Sequence, residues 1–237
     1  MSAHAPTGAA TICEMAENKV FRPVPPGGDW RRNAVIDRRQ SDHAVAMGFA
    51  ETADLIVDHW QSHGPNDLLF EPLVFNYRHA IELVLKTAIR SCARCLRAED
   101  RRDPRLDVAV LDEWLARKAG HNLHKLAVRL DEWLAALSLD GLPADTSGVL
   151  LSIHALDPSG ETFRYAKVGD GAGAFVAAPR PLLSDPNALQ AHVDIVAMHE
   201  HFRSTFSLLS GGVMTVLEEV HDFQREMYDQ FRPDDWR

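Results

Sequence analysis

Apolar residues recur at alternating spacings of three and four through almost every long stretch of this chain, and that period restricts its fold more than any other feature. A helix turns roughly 100° per residue, so such spacing gathers side chains on one face, whereas a half-buried strand needs a spacing of two. Val45, Phe49, Ala53, Ile56 and Trp60 follow the helical period and predict a helix from about Ile36 to His63, stopped by Gly64-Pro65. Leu73, Tyr77, Ile81, Val84, Ala88 and Cys95 fall within about 80° of one another on a second helix running from about Pro72 to Arg97. Further helices are expected around Leu111–Lys118, Asn122–Leu137 and Val149–Leu156. Residues 188–230 read as one long helix or two end to end. There Phe206, Leu209, Val213, Val216, Val220, Phe223 and Met227 form a seam and Gly211-Gly212 marks the expected kink. The fold class is therefore all-α, an up-and-down helical bundle with a long C-terminal helix.

Two stretches break the pattern. Residues 1–30 are rich in Ala, Pro and Gly and end in Pro23, Pro25, Pro26, Gly27 and Gly28, so a flexible arm is expected there, with the helical domain over 31–232. Residues 158–187 carry many Gly, Pro and small residues and predict a loop or a short hairpin from Phe163–Lys167 to Ala174–Ala177.

With 237 residues the chain is long enough for one sizeable core. It has no apolar run of about eighteen residues, so no membrane span or membrane partner is expected. No apolar h-region follows a basic start, and the three cysteines are too few for a disulfide framework, so a cytoplasmic location is expected. Cys92 and Cys95 lie on or near the apolar face of the second helix and read as core residues rather than zinc ligands. A net charge of −9 argues against a dedicated duplex-DNA binder, which needs clustered positive charge. The twelve histidines make clusters worth weighing. His59…His63 and His121…His124 have helical ligand spacing, yet neither shows an H-E-x-x-H pattern, and the neighbours His199 and His201 are poorly placed for one metal, so no metal or other cofactor is expected.

Three segments carry a resemblance: Phe75-Asn76-Tyr77-Arg78-His79-Ala80-Ile81-Glu82-Leu83-Val84-Leu85-Lys86, then Gly120-His121-Asn122-Leu123-His124-Lys125-Leu126, then Phe163-Arg164-Tyr165. In this order they resemble the HEPN-like helical bundles, prokaryotic proteins linked to defence and toxin–antitoxin systems. The resemblance spans about residues 70–170. It implies RNA or a nucleotide as ligand, a homodimer, and metal-independent endoribonuclease chemistry in catalytic members. There a His moves the proton in attack by the 2′-OH and an Arg stabilises the charge on phosphorus.

On this chain the catalytic candidates are His121, His124 and Arg117, and the binding candidates are Arg78, His79, Glu82, Lys86, Arg164 and Tyr165. Glu82 and Lys86 stand four apart in the order that favours pairing on a helix. His121 follows Gly120 at a helix start, where free N–H groups favour anions. Arg164 can clamp a phosphate, or tie its loop to Glu82 through an ion pair, and Tyr165 can stack on a base. The R-x4–6-H pattern of such ribonucleases occurs at Arg38…His43 and Arg117…His124, while Arg117 stands one residue too close to His121. The rival reading is a non-catalytic interaction module that binds a partner protein or nucleotide, and a metal-dependent enzyme is a third.

Overall fold

The structure, a computed structural model, describes residues 31, 34, 40–164, 167–169, 175–177 and 192–230. The expected arm over 1–30, along with Arg38 and Tyr165, lies outside the described residues. The chain divides into two compact units, Met1–Gln40 and Ser41–Arg237.

Helix α1 (Asp42–His63) starts where Ser41 Oγ accepts a hydrogen bond from Ala44 N, a cap worth about 1 kcal/mol. Its buried residues Ala46, Ala50, Ala53 and Val57 repeat at four, three and four, and their small size lets α1 lie close against α2. Helix α2 (Phe70–Ala98) is the centre of the unit, with α1, α4, α6 and α7 packed around it. Leu73, Tyr77, Ile81, Leu85 and Ile89 on it are wholly buried. Burying a side chain of this size contributes roughly 1.5–3 kcal/mol.

Helix α3 (Val108–Glu113) runs into a π-helical turn over Trp114–Ala119, which Gly120 ends at φ +55°. Helix α4 (Leu123–Ala136) is capped by Asn122, whose side chain accepts from Lys125 N at 2.9 Å, and it buries Leu126, Leu130 and Trp133. Helix α5 (Ala144–Leu156) starts right after Pro143, five residues earlier than the apolar pattern suggests, because Pro is favoured at a helix start whatever the following periodicity. Beyond α5, Lys167–Gly169 (β1) and Phe175–Ala177 (β2) form a two-stranded antiparallel ladder with Val168 opposite Val176.

Helix α6 (Ile195–Ser207) and helix α7 (Met214–Gln230) are joined by a π-helical turn over Leu208–Val213 that contains the Gly211-Gly212 pair. A π turn inserts a residue into the helical period, so the buried face shifts by one. Phe206 and Leu209 are buried as the seam predicts, but after the turn Met214 and Leu217 take the inner positions expected for Val213 and Val216. Val216, Phe223 and Met227 are left exposed, Phe223 by 63%. Cys92 and Cys95 are both fully buried, and Cys95 Sγ lies 3.5 Å from the Leu217 carbonyl oxygen. No described helix is long and apolar enough to cross a membrane.

Candidate functional site

Arg78, Glu82 and Lys86 occupy successive turns of α2, so helical geometry alone puts them in one row. Glu82 is 1% exposed, and a carboxylate taken that far from water needs compensating partners. It has three. Lys86 Nζ donates to Oε1 at 2.7 Å, Arg78 Nη1 donates to Oε2 at 3.1 Å, and His121 Nδ1 lies 3.0 Å from both oxygens. Burial pushes the Glu82 carboxyl upward, but the Lys86 and His121 bonds outweigh it and hold the group below its ordinary value. Glu82 is thus a carboxylate that can only accept, so His121 Nδ1 carries a proton and the neutral ring's lone pair sits on Nε2. The His121 side chain is 48% exposed, so its outer edge reaches solvent.

Arg78 ties three parts of the fold together. Its Nη2 donates to the His121 carbonyl at 2.7 Å and to the Asp157 carbonyl at 3.1 Å. Its Nε meets Asp157 Oδ2 at 2.9 Å as an ion pair, off the N–H axis of a hydrogen bond. Asp157 in turn accepts from Glu161 N and Thr162 N through Oδ1, shaping the turn that leaves α5. Gly160, at φ +79°, crowns that turn. A Cβ there would stand 3.0 Å from both Arg78 Nη1 and His121 Cβ, so only glycine allows the turn to close over the pair. Two cations, Arg78 and Lys86, face two carboxylates, Glu82 and Asp157.

Arg164 Nε donates to the Gly160 carbonyl at 2.8 Å, and its guanidinium carbon lies 5.8 Å from the Phe75 ring centroid. His79 stacks on Phe75 with 5.7 Å between centroids and meets the edge of Phe49 at 4.5 Å. Burial lowers the His79 pKa, opposed by Glu82, while the charges of His121, Arg164 and Lys86 push the same way as burial. A row of Phe75, His79, Glu82 and Lys86 therefore runs along one face of α2, with His121 and Arg164 beside it.

The structure brings together Arg78, Glu82, Lys86 and His121 directly and sets His79 and Arg164 alongside. The cation that meets Glu82 Oε2 is Arg78 on the same helix, at 3.1 Å. Arg117 is not drawn in. Its side chain is 80% exposed on the π-helical turn and meets Glu113 at 3.8 Å, and no described hydrogen bond or ion pair links it to His121 or His124. His124 faces elsewhere, its ring 6.1 Å from that of His154. Burial, and next the charge of His124, lower the pKa of His154.

Sequence reasoning missed Asp157 and Gly160. Their signal was present as Asp157-Pro158-Ser159-Gly160, a turn former with a side-chain acceptor at its start. It also missed a second, half-buried tie, in which Tyr77 O–H donates to Asp54 Oδ1 and His199 Nε2 lies 2.8 Å from the same atom. His199 serves that carboxylate rather than pairing with His201. His59 and His63 stack on each other at 4.4 Å between centroids. Among the described residues no group of three or more His, Cys, Asp or Glu is arranged to hold a metal ion.

No family model, curated protein or solved structure matches this chain.

Proposed function

We propose that this chain is a HEPN-like protein that binds RNA or a nucleotide at the Glu82–His121 face and cleaves RNA without a metal, in prokaryotic defence or stress response. The observation that carries the reading is the Glu82–His121 pair. A buried carboxylate, itself held by Lys86 and Arg78, fixes the proton on Nδ1 and turns the basic Nε2 edge of a half-exposed imidazole outward. An anchored imidazole with one free nitrogen is what a general base requires.

In this chemistry His121 Nε2 takes the proton of a ribose 2′-OH. The 2′-oxygen forms a bond to the adjacent phosphorus, the bond from phosphorus to the 5′-oxygen breaks, and the departing oxygen takes a proton. The products are a 2′,3′-cyclic phosphate and a 5′-OH. Arg164 and Lys86 are the cations next to His121 that counter the negative charge on phosphorus. The second proton transfer is assigned to His121 of a second copy, brought near by a homodimer through α7, whose Val216, Phe223 and Met227 are exposed in one row.

The test is cleavage of single-stranded RNA in EDTA. Cyclic-phosphate ends are expected, with a loss of about 10²–10⁴-fold in His121→Ala. RNA left intact by dimeric wild-type protein defeats the catalytic reading. Cutting that survives His121→Ala together with His124→Ala places the active site elsewhere. The interaction-module reading draws on Arg78, whose buried bonds to three segments also suit a purely structural knot. It expects a partner or nucleotide to bind with no RNA turnover.

A further inference from the structure

Apart from the charged site, α5 and α6 enclose a cleft of about 640 Å³. We propose that this cleft is a binding site for a small lipophilic amine, with an aromatic or aliphatic body and a protonated nitrogen head.

Asp145, Gly148, Val149, Ser152, Ile153 and Leu156 line the cleft from α5. Their spacings of three and one place them all on one helix face, so one side of α5 borders the cleft. Packed protein interiors leave few voids larger than a water molecule, whereas ligand clefts run from roughly 300 to 1,000 Å³. Gly148 contributes to the opening. It stands mid-helix, where glycine is less favourable than alanine, yet a Cβ placed there meets nothing within 4 Å. The missing side chain is therefore not demanded by close packing, and its effect is to widen the cleft.

The walls are graded from floor to mouth. Ile153, Phe163 and Phe202 are buried at the floor, where the Phe163 ring meets Phe70 edge to face at 6.3 Å. Asp145, Ser152, His201 and Ser204 are the exposed polar residues of the lining. An apolar body thus belongs at the floor and a polar head at the mouth. Asp145 is the charged carboxylate of the described lining, and none of the described lining residues is Lys or Arg. The Asp145 carboxylate can only accept, while the hydroxyls and the imidazole can accept as well as donate, so the fitting head is a cationic donor.

Three probes of equal body and different charge test this in the full chain: 1-naphthylmethylamine, 1-naphthalenemethanol and 1-naphthaleneacetate, titrated calorimetrically. The expected result is saturable binding of one amine per chain, at least about tenfold tighter than the acetate. Gly148→Leu, which puts a side chain into the cleft, is expected to weaken amine binding by at least about tenfold while keeping the wild-type melting temperature. Val149→Trp is the second filling variant, should Gly148→Leu fail to fold. Asp145→Asn is expected to erase the preference for amine over alcohol. The proposal is overturned if no probe saturates, if a folded filling variant binds as the wild type does, if the acetate binds best, or if the charge preference survives Asp145→Asn.

Discussion

Replacing Asp157 by Asn changes one atom of the side chain and strands a buried cation. Asp157 and Arg78 are 1% and 3% exposed at their side chains, so solvent screens their interaction little. Asn keeps an oxygen for Glu161 N and Thr162 N, which Oδ1 now serves at 2.9 and 3.0 Å. It sets an N–H₂ group against the Arg78 guanidinium in place of Oδ2. Removing one partner of a buried pair costs about 3–5 kcal/mol. Arg78 retains Glu82 as a second carboxylate at 3.1 Å, which puts the expected loss near the lower end, about 3 kcal/mol. For a unit of this size each kcal/mol shifts the melting temperature by roughly 2–4 °C, so Asp157→Asn should melt about 6–12 °C below wild type by circular dichroism. Arg78→Met should cost less in the Asp157→Asn background than in the wild type, with a coupling energy of at least about 1 kcal/mol in the full cycle. A loss under about 2 °C in the single variant, or strictly additive effects in the cycle, refutes the view that this ion pair holds the turn to α2.

Stability should also fall as the solution is acidified, in two stages. His79 and His154 have folded pKa values lowered from 6.5, so the unfolded chain binds protons there that the folded chain refuses; their contribution is present above 6.5 and is lost as pH drops below it. Glu82, lowered from 4.5, adds a second loss as pH falls below that value; a melting temperature flat from about pH 8 to pH 5 contradicts the histidine assignments, and one flat from about pH 5 to pH 3 contradicts that of Glu82. The proposed dimer should show in light scattering at tens of micromolar and dissociate in Phe223→Glu, because a charge replaces the most exposed apolar ring of the α7 row; a monomeric wild type at that concentration defeats it.

The helical period by itself determined most of this fold. It is a local property, and the apolar positions of α2 and α4 mark their buried faces whatever packs against them: Leu73, Ile81, Leu126 and Leu130 are all at the core. Spacing of four also sufficed to align Glu82 with Lys86, since residues that far apart are neighbours on any helix. The short Gly120-His121-Asn122 junction was legible as a helix start, and Asn122 is its cap.

Only the tertiary structure decided which of these groups meet. Arg78 and Asp157 are 79 positions apart, and Arg78 reaches His121 across 43; no local pattern encodes such pairings, because they depend on how α4 and the turn after α5 dock on α2. Arg117 and His124 flank His121 in sequence, yet the first faces solvent on the π-helical turn and the second turns toward His154. The π turn at Leu208–Val213 likewise shifts the buried face of α7 by one residue, a change that spacing alone does not reveal. Periodicity states which face of a helix is buried, but which chemical groups share a site depends on the docking of helices far apart in the chain.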